Sequence, residues 1–111
     1  MRKDRIASVL IRAISEIIEH DIKDPRLGLV TITTVNVSSD LKMATVYFSS
    51  LTDKDAGLAT LNRAKGYIRS ELANRVRMKY VPDIEFKIDN SFEYGKKIDA
   101  LLNEISQDNK E

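Results

Sequence analysis

The 111-residue sequence has no cysteine, one histidine, two prolines and four glycines. Without cysteine, the chain can form neither disulfides nor thiolate metal sites. It also has no apolar run near the roughly 20 residues that are needed to span a bilayer. Arg12 and Glu16 interrupt the apolar stretch that would follow the basic start of a signal peptide. We therefore expect a cytoplasmic protein without a membrane partner.

Residue patterns for catalysis are also missing. His20 lies beside Asp21 at the polar end of a predicted helix, which is typical of a solvated residue and not of a general base. The segment 89–91 (Asp-Asn-Ser) has no histidine nearby in sequence and is interpreted as a helix cap. Carboxylates are scattered without ligand spacing, and each glycine stands alone, so no phosphate-binding loop is present. We expect no catalytic residue, no cofactor and no metal.

The composition indicates an ordinary globular protein. Apolar residues make up 42% of the chain and charged residues 32%, and the length suits one domain over residues 1–111. A polar tail is expected from about residue 106, since the last residues are hydrophilic and lack an apolar pattern.

The positive charge is concentrated in two blocks, although the net charge of the whole chain is only +1. Residues 58–79 carry six basic residues and one acidic residue, a net charge of +5, and residues 1–12 have a net charge of +3. The intervening and following segments are acidic. Such asymmetry favours a polyanion partner. The alternative is a helix surface with ordinary solvated lysines and arginines.

Residues 58–79 have the pattern of a long amphipathic helix. Its apolar residues recur at steps of three and four: Leu58, Leu61, Ala64, Ile68, Leu72 and Val76. Gly66 interrupts this pattern at a cost of about 1 kcal/mol relative to alanine. A glycine in this place usually marks a kink or a close backbone approach. We therefore predict two helices that meet at a kink formed by Ala64 and Gly66.

The remaining elements predict an α+β fold. Helical periodicity covers residues 4–22, and Asp24 and Pro25 end that helix. Alternating patterns predict strands at residues 30–37 and 42–51, with a bulge at Thr33 and Thr34, and a third strand near residues 84–88. A last helix, capped by Asn90, would have one apolar face: Phe92, Ile98, Leu101, Leu102 and Ile105. The order is helix, strand, strand, kinked helix pair, strand, helix.

That order is the order of a type II KH domain, an RNA-binding module in which a GxxG loop clamps backbone nucleotides. This chain has no GxxG, and Ala64-Lys65-Gly66 stands at the corresponding place. Four blocks in order resemble the ribosome-binding factor A family, whose KH domain carries an AxG kink. They are Asp24-Pro25-Arg26-Leu27-Gly28; Ser39-Asp40-Leu41 with Ala44, Val46 and Tyr47; residues 64–70; and Val81-Pro82 with Ile84, Phe86, Asp89, Ser91 and Gly95.

The resemblance covers roughly residues 4–105 and implies a KH-like fold with a three-stranded mixed sheet covered by helices. It implies a non-enzymatic, monomeric factor that binds free small ribosomal (30S) subunits and 16S rRNA during late maturation. Assistance to rRNA 5′-end processing, growth in the cold and an assembly GTPase as a partner are further implications. The expected RNA-binding residues are Arg63, Lys65, Gly66, Arg69, Arg75, Arg77 and Lys79, with Arg2, Lys3 and Arg5 as a secondary patch.

Aromatic residues are sparse within this basic block. Tyr67 and Tyr80 are the only candidates for stacking on bases, and a place in the core or at a rim is the alternative for each. We therefore expect recognition through RNA shape and phosphate positions more than through base sequence. The competing interpretation is an α+β protein-interaction module that docks an acidic protein surface. The third interpretation is an enzyme.

Overall fold

The computed structural model describes residues 3–90 and residue 101. Two helices and three strands follow one another in the first range, with a short 3₁₀ helix at Pro25–Leu27. Their bounds are α1 Lys3–Asp21, β1 Val30–Val37, β2 Met43–Ser50, α2 Lys54–Arg75 and β3 Asp83–Ile88. The predicted C-terminal helix and the polar tail lie outside the described residues, apart from Leu101.

The three strands form one mixed sheet in the order β1-β2-β3. β1 and β2 pair antiparallel through the turn at residues 38–42, and β3 pairs parallel with β2 after the crossover through α2. The register shifts between Ile32 and Thr34, so the predicted bulge is confirmed. The Thr33 hydroxyl donates to the Asp89 carboxylate at 2.6 Å, which ties the bulge to the residue that follows β3.

The core lies between the helices and one face of this sheet. Ala44, Val46 and Phe48 alternate along β2 with exposures of 1%, 0% and 0%. α1 packs against β1, and α2 packs against β3 and α1. Both helices contribute an apolar stripe to this core: Ile6, Leu10, Ala13, Ile14, Ile17 and Ile18 from α1, and Leu61, Ile68 and Leu72 from α2. The α+β, KH-like fold with its three-stranded mixed sheet is confirmed.

The predicted division into two helices at Ala64 and Gly66 is not seen in the described residues. α2 runs without interruption through Ala64 and Gly66, and Gly66 does not have a positive φ. Among the described residues outside the helix itself, a Cβ built at Gly66 would have no neighbour within 4 Å, so no other described backbone approaches there. The helix tolerates glycine because burial of Leu61, Ile68 and Leu72 stabilises it by more than the cost of one residue's propensity.

α2 begins where an N-cap at Thr52 or Asp53 predicts, which is confirmed, but it ends earlier than its sequence pattern predicts. Asp53 caps its first turn, accepting hydrogen bonds from the backbone N–H groups of Asp55 and Ala56 at 3.0 Å. At the other end, Val76 is extended, with φ −111° and ψ 125°. Arg77 and Lys79 therefore lie on the segment between α2 and β3 and not on the helix.

Candidate nucleic-acid interface

Within residues 3–90, the basic residues predicted to bind RNA divide into those that donate hydrogen bonds to other residues and those that form no ion pair. Arg63, Arg69 and Arg75 each donate hydrogen bonds within the chain. Lys65, Arg77 and Lys79 have no ion pair with another residue in the range 3–90. Because a paired cation must give up its partner before it can neutralise a phosphate, the second group is the better placed for RNA.

Arg69 holds the segment that precedes β3. Its Nε donates to the carbonyl of Pro82 at 3.3 Å, and its Nη2 donates to the carbonyl of Val81 at 3.2 Å. Its Nη1 lies 3.1 Å from the carboxylate of Asp83. All three partners are on one short stretch of chain, so Arg69 positions this stretch against α2.

Arg75 joins the two helices. Its Nη2 lies 2.8 Å from the Asp21 carboxylate at the end of α1, and its Nε lies 3.3 Å from Glu71 one turn earlier on α2. The Tyr67 hydroxyl donates to the same Asp21 oxygen at 3.0 Å. This hydrogen bond, with some burial, raises the pKa of Tyr67. Arg75 and Tyr67 thus act within the fold, and Arg75 is a poor candidate for RNA contact.

Arg63 is held differently, because its partner is uncharged. Its Nη2 donates at 3.0 Å to the hydroxyl of Thr60, which is 2% exposed and itself donates to the carbonyl of Ala56 at 2.8 Å. The guanidinium keeps its full charge while its orientation is fixed. Arg63 therefore remains a candidate for phosphate contact.

A groove of about 1240 Å³ lies at the C-terminal half of α2. One wall is the helix surface at Gly66, Ser70 and Ala73, where side chains are small or absent. The other borders are the segment 77–81 and the turn at residues 40–42. Arg77 and Lys79 therefore face the same depression as Gly66.

The groove also contains residues that the sequence interpretation did not select. Lys42 adds a further basic side chain from the turn between β1 and β2, and Leu41 lies beside it. The signal that could have found them is the turn chemistry of Ser38 and Asp40, which places the next residues at the tip of a hairpin. The first turn of α1 borders the groove at Ile6, close in sequence to exposed Lys3 and Arg5. Arg2 is outside the described residues.

A second set of basic residues surrounds the 3₁₀ helix. Asp24 caps this helix and accepts hydrogen bonds from the Arg26 backbone at 2.9 Å and from its guanidinium at 2.7 Å. The guanidinium hydrogen bond lowers the pKa of Asp24 from 3.8 to about 2. Lys23 and Arg63 lie near this pair around a shallow depression. Because Asp24 neutralises Arg26, this surface is less basic than the groove.

The described residues contain no grouping that suggests another chemistry. His20 is exposed at the end of α1, one residue before Asp21. Within residues 3–90, no three His, Asp or Glu side chains come together to hold a metal ion. No helix in the same range is long and apolar enough to cross a membrane.

The chain is similar in sequence and in structure to proteins named ribosome-binding factor A. The family model of that description matches residues 2–102. A Brevibacillus brevis ribosome-binding factor A is 45% identical over 112 aligned residues, covering 96% of this chain and 93% of the relative.

Two structures from Thermus thermophilus extend the comparison. The crystal structure of its ribosome-binding factor A is similar with a TM-score of 0.74 and 34% identity, over 79% of this chain and 97% of that one. A homology model of the same protein, fitted into a cryo-EM map of its 30S complex, is similar with a TM-score of 0.67. That likeness has 34% identity and covers 76% of this chain and 91% of the other.

Proposed function

The chain belongs to the ribosome-binding factor A family, and from this premise we propose that it binds the free small ribosomal subunit through 16S rRNA. In this proposal it is a non-enzymatic assembly factor that acts in the cytoplasm during late maturation and assists 5′-end processing of the rRNA. The Thermus thermophilus relative has been fitted into a map of a 30S complex, which supports the same partner for this chain.

The observation that carries the proposal is the basic border of the groove. Lys42, Arg77 and Lys79 come from two separate segments and face one depression, and we call these three residues the basic rim. Within residues 3–90 none of them forms an ion pair with a carboxylate. Cations that are close together and unpaired are suited to neutralise successive phosphates and release their counterions.

Co-sedimentation with purified small subunits tests the proposal. Arg77→Glu combined with Lys79→Glu should weaken binding strongly, because it replaces two positive charges by two negative ones at the rim. The matched control is Arg12→Glu combined with Lys23→Glu. This control makes the same change in net charge at two exposed residues that do not line the groove. Circular dichroism should show both variants folded.

The control decides between a local and a general effect of charge. If both double variants lose subunit binding equally, only the net charge matters and the groove has no special part. If neither loses binding, the proposed surface is wrong. Mature 70S ribosomes in a parallel gradient report whether binding is restricted to free subunits, as a late assembly factor requires.

Two further expectations belong to the same proposal. The factor should act as a monomer, because one basic rim on one chain supplies the proposed RNA contacts. An assembly GTPase is the expected protein partner on the subunit. Release of the bound factor from subunits on addition of a GTPase with GTP would support this partner, and unchanged occupancy would argue against it.

A further inference from the structure

The two edge strands of the sheet differ in how they are protected against pairing with a further strand. Within the described residues, the strand order places β1 at one edge and β3 at the other. β3 carries Asp83, Glu85 and Lys87, and charges on an edge strand discourage pairing with another chain. β1, with the sequence VTITTVNV, has no charged residue and no proline. The edge of β1 is therefore suited to accept another strand.

The first half of β1 has backbone groups that point away from the sheet. The carbonyl of Leu29 accepts a hydrogen bond from the backbone N–H of Leu51 at 3.0 Å, so it points toward β2. Alternate residues of an antiparallel strand turn their N–H and C=O groups to opposite sides, so those of Val30 and Ile32 point to the free edge. Within residues 3–90, no backbone pairs with them there. An extended backbone could satisfy both residues in register.

A groove of about 690 Å³ lies beside these backbone groups, and we call it the edge groove. Its strand side is the stretch 27–32, and its helix side is the C-terminal half of α1 at Ser15, Ile18, Glu19 and Ile22. Ser15, Glu19 and Ile22 are about one turn apart, so they form one ridge of the helix next to the strand. Among the described residues, the edge is thus flanked by a helix and not covered by it.

The side chains around the edge groove are largely apolar. Val30 and Ile32 face the core side of the sheet together with Ile22, and all three are half-buried. Leu29 lies on the other face of the sheet and is 63% exposed. A strand that pairs with this edge turns its side chains alternately to these two faces. Apolar residues at its alternate positions would therefore pack against Ile22 and Ile32.

The helix side of the edge groove is acidic. Residues 13–21 contain Glu16, Glu19 and Asp21 and no lysine or arginine. Asp21 is paired with Arg75, but within residues 3–90 neither glutamate forms an ion pair. Lys23, on the loop after α1, also lines the groove. Two unpaired carboxylates against one lysine favour a ligand with positive charge.

We propose that the edge groove binds an extended segment of a partner protein, which adds a strand to β1 at Val30 and Ile32. This segment has apolar residues at alternate positions and a lysine or arginine that meets Glu19. The inference goes beyond the proposed function and does not depend on it. Leu29 and the Lys42 of the basic rim lie at opposite ends of the β1–β2 hairpin, about 25 Å apart at ~3.3 Å per residue. The partner protein and the RNA can therefore be bound at the same time.

Two other ligands fit the edge groove less well. The β1 strand of a second copy of this chain would bring no cation to Glu16 and Glu19, because β1 has no charged residue. An RNA backbone would bring negative charge to the same two carboxylates. A basic protein segment satisfies both the backbone groups of β1 and the charge of α1.

Hydrogen exchange measured by NMR on the full chain tests the proposal. The probe is the peptide acetyl-Lys-Ile-Thr-Val-Thr-Ile-Lys-amide. In the free protein, the N–H groups of Val30 and Ile32 should exchange rapidly, and that of Thr31, which points toward β2, should exchange slowly. Saturating peptide should slow the exchange of Val30 and Ile32 by about 10-fold or more and leave Thr31 unchanged.

Modified peptides test the backbone pairing and the charge. Two N-methylated forms each lack the N–H groups along one edge of the peptide. One of them should bind about 2- to 12-fold more weakly for each lost hydrogen bond, and the other should bind like the parent peptide. A peptide with glutamate in place of both lysines should bind more weakly than the parent peptide.

Variants of the protein locate the site. Leu29→Ser should weaken peptide binding by about 3- to 10-fold, the range for partial burial of one leucine. Leu51→Ser is its matched control, because Leu51 lies across from Leu29 and is 84% exposed but does not line the groove. Glu19→Lys should weaken binding by about 2- to 5-fold. Its control is Glu85→Lys, the same charge change at an exposed residue of β3.

The outcomes separate this inference from its alternatives. Slow exchange of Val30 and Ile32 in the free protein would overturn it, because the edge would already be covered; sedimentation equilibrium then shows whether a second copy covers it. Exchange that millimolar peptide leaves unchanged would also overturn it, as would equal losses in Leu29→Ser and Leu51→Ser. Equal affinity for the lysine and glutamate peptides would overturn the assigned charge of the partner. Subunit co-sedimentation by Leu29→Ser should equal that of the wild type, so failure of either proposal leaves the other standing.

Discussion

Replacement of Gly66 by alanine should stabilise the protein, which is the opposite of what the predicted kink implied. Gly66 lies in the interior of α2, is exposed and lacks a positive φ. Within residues 3–90, the added methyl group would meet nothing within 4 Å outside the helix itself. Alanine therefore brings no clash, and it reduces the backbone entropy that is lost on folding.

The gain is expected to be about 1 kcal/mol, because alanine and glycine differ by about 0.8–1.0 kcal/mol in an exposed helix interior. For a domain of this size, the melting temperature should rise by roughly 4 °C. Urea unfolding followed by circular dichroism measures the change, and the dependence of unfolding free energy on urea concentration should stay the same.

Gly57 provides the contrast on the same helix. A Cβ there would lie 3.3 Å from the carbonyl oxygen of Leu27 and 3.3 Å from a methyl group of Val30. Gly57→Ala should therefore gain less stability than Gly66→Ala, or lose stability. A lower melting temperature for Gly66→Ala would refute the continuous helix in solution. A higher one with loss of subunit binding would locate RNA at Gly66, since only a close ligand could exclude the methyl group.

Three other perturbations test the core, a turn and a carboxylate. Phe86→Ala should cost about 3–5 kcal/mol of unfolding free energy because Phe86 is 5% exposed. Lys87→Ala, on the other face of β3, should cost within about 0.5 kcal/mol, and the reverse ranking in urea melts would mean that the strand register is wrong. Gly28→Ala should destabilise the protein, since Gly28 has φ 68° and a methyl group would collide with a threonine side chain; an unchanged melting temperature would contradict this. Arg26 lowers the pKa of Asp24 to about 2, so the stability from this pair is present above pH ~4 and is lost as the pH falls through about 2. An NMR titration of Asp24 with a midpoint near 4 would show that the pair does not form.

Much of the fold could be predicted because its determinants are local in the sequence. Alternation places Ala44, Val46 and Phe48 on one face of β2, and all three are buried. The break in alternation at Thr33 became the bulge, because an extra residue in one strand shifts the side-chain period by one.

The behaviour of Gly66 and the end of α2 could not be predicted in the same way. Glycine propensity is a local quantity of about 1 kcal/mol, whereas burial of one large apolar side chain contributes about 1.5–3 kcal/mol. Tertiary packing therefore decided that α2 is continuous. Its end at Arg75 has no glycine or proline signal, and Val76 turns away from the helix while remaining packed against the core.

The ion-pair partners of the basic residues in the candidate site could not be predicted either. A basic residue and its partner can be far apart in sequence. One carboxylate that pairs with Arg75 belongs to Asp21, on another helix, and the one that pairs with Arg69 belongs to Asp83, on a strand. The net charge of +5 over residues 58–79 counts both arginines as available to a polyanion. In the structure, both arginines pair instead with carboxylates of this chain.

The salt dependence of subunit binding measures this difference one residue at a time. Arg77→Gln should reduce the slope of log affinity against log salt by about 0.7–0.9, the value for one lost phosphate contact. Arg75→Gln should leave the slope nearly unchanged, because Asp21 and Glu71 already neutralise this arginine. Its effect should appear in the melting temperature instead. A slope reduced by a full unit for Arg75→Gln would mean that RNA displaces both carboxylates, and that an arginine paired in the free protein is recruited when the subunit binds.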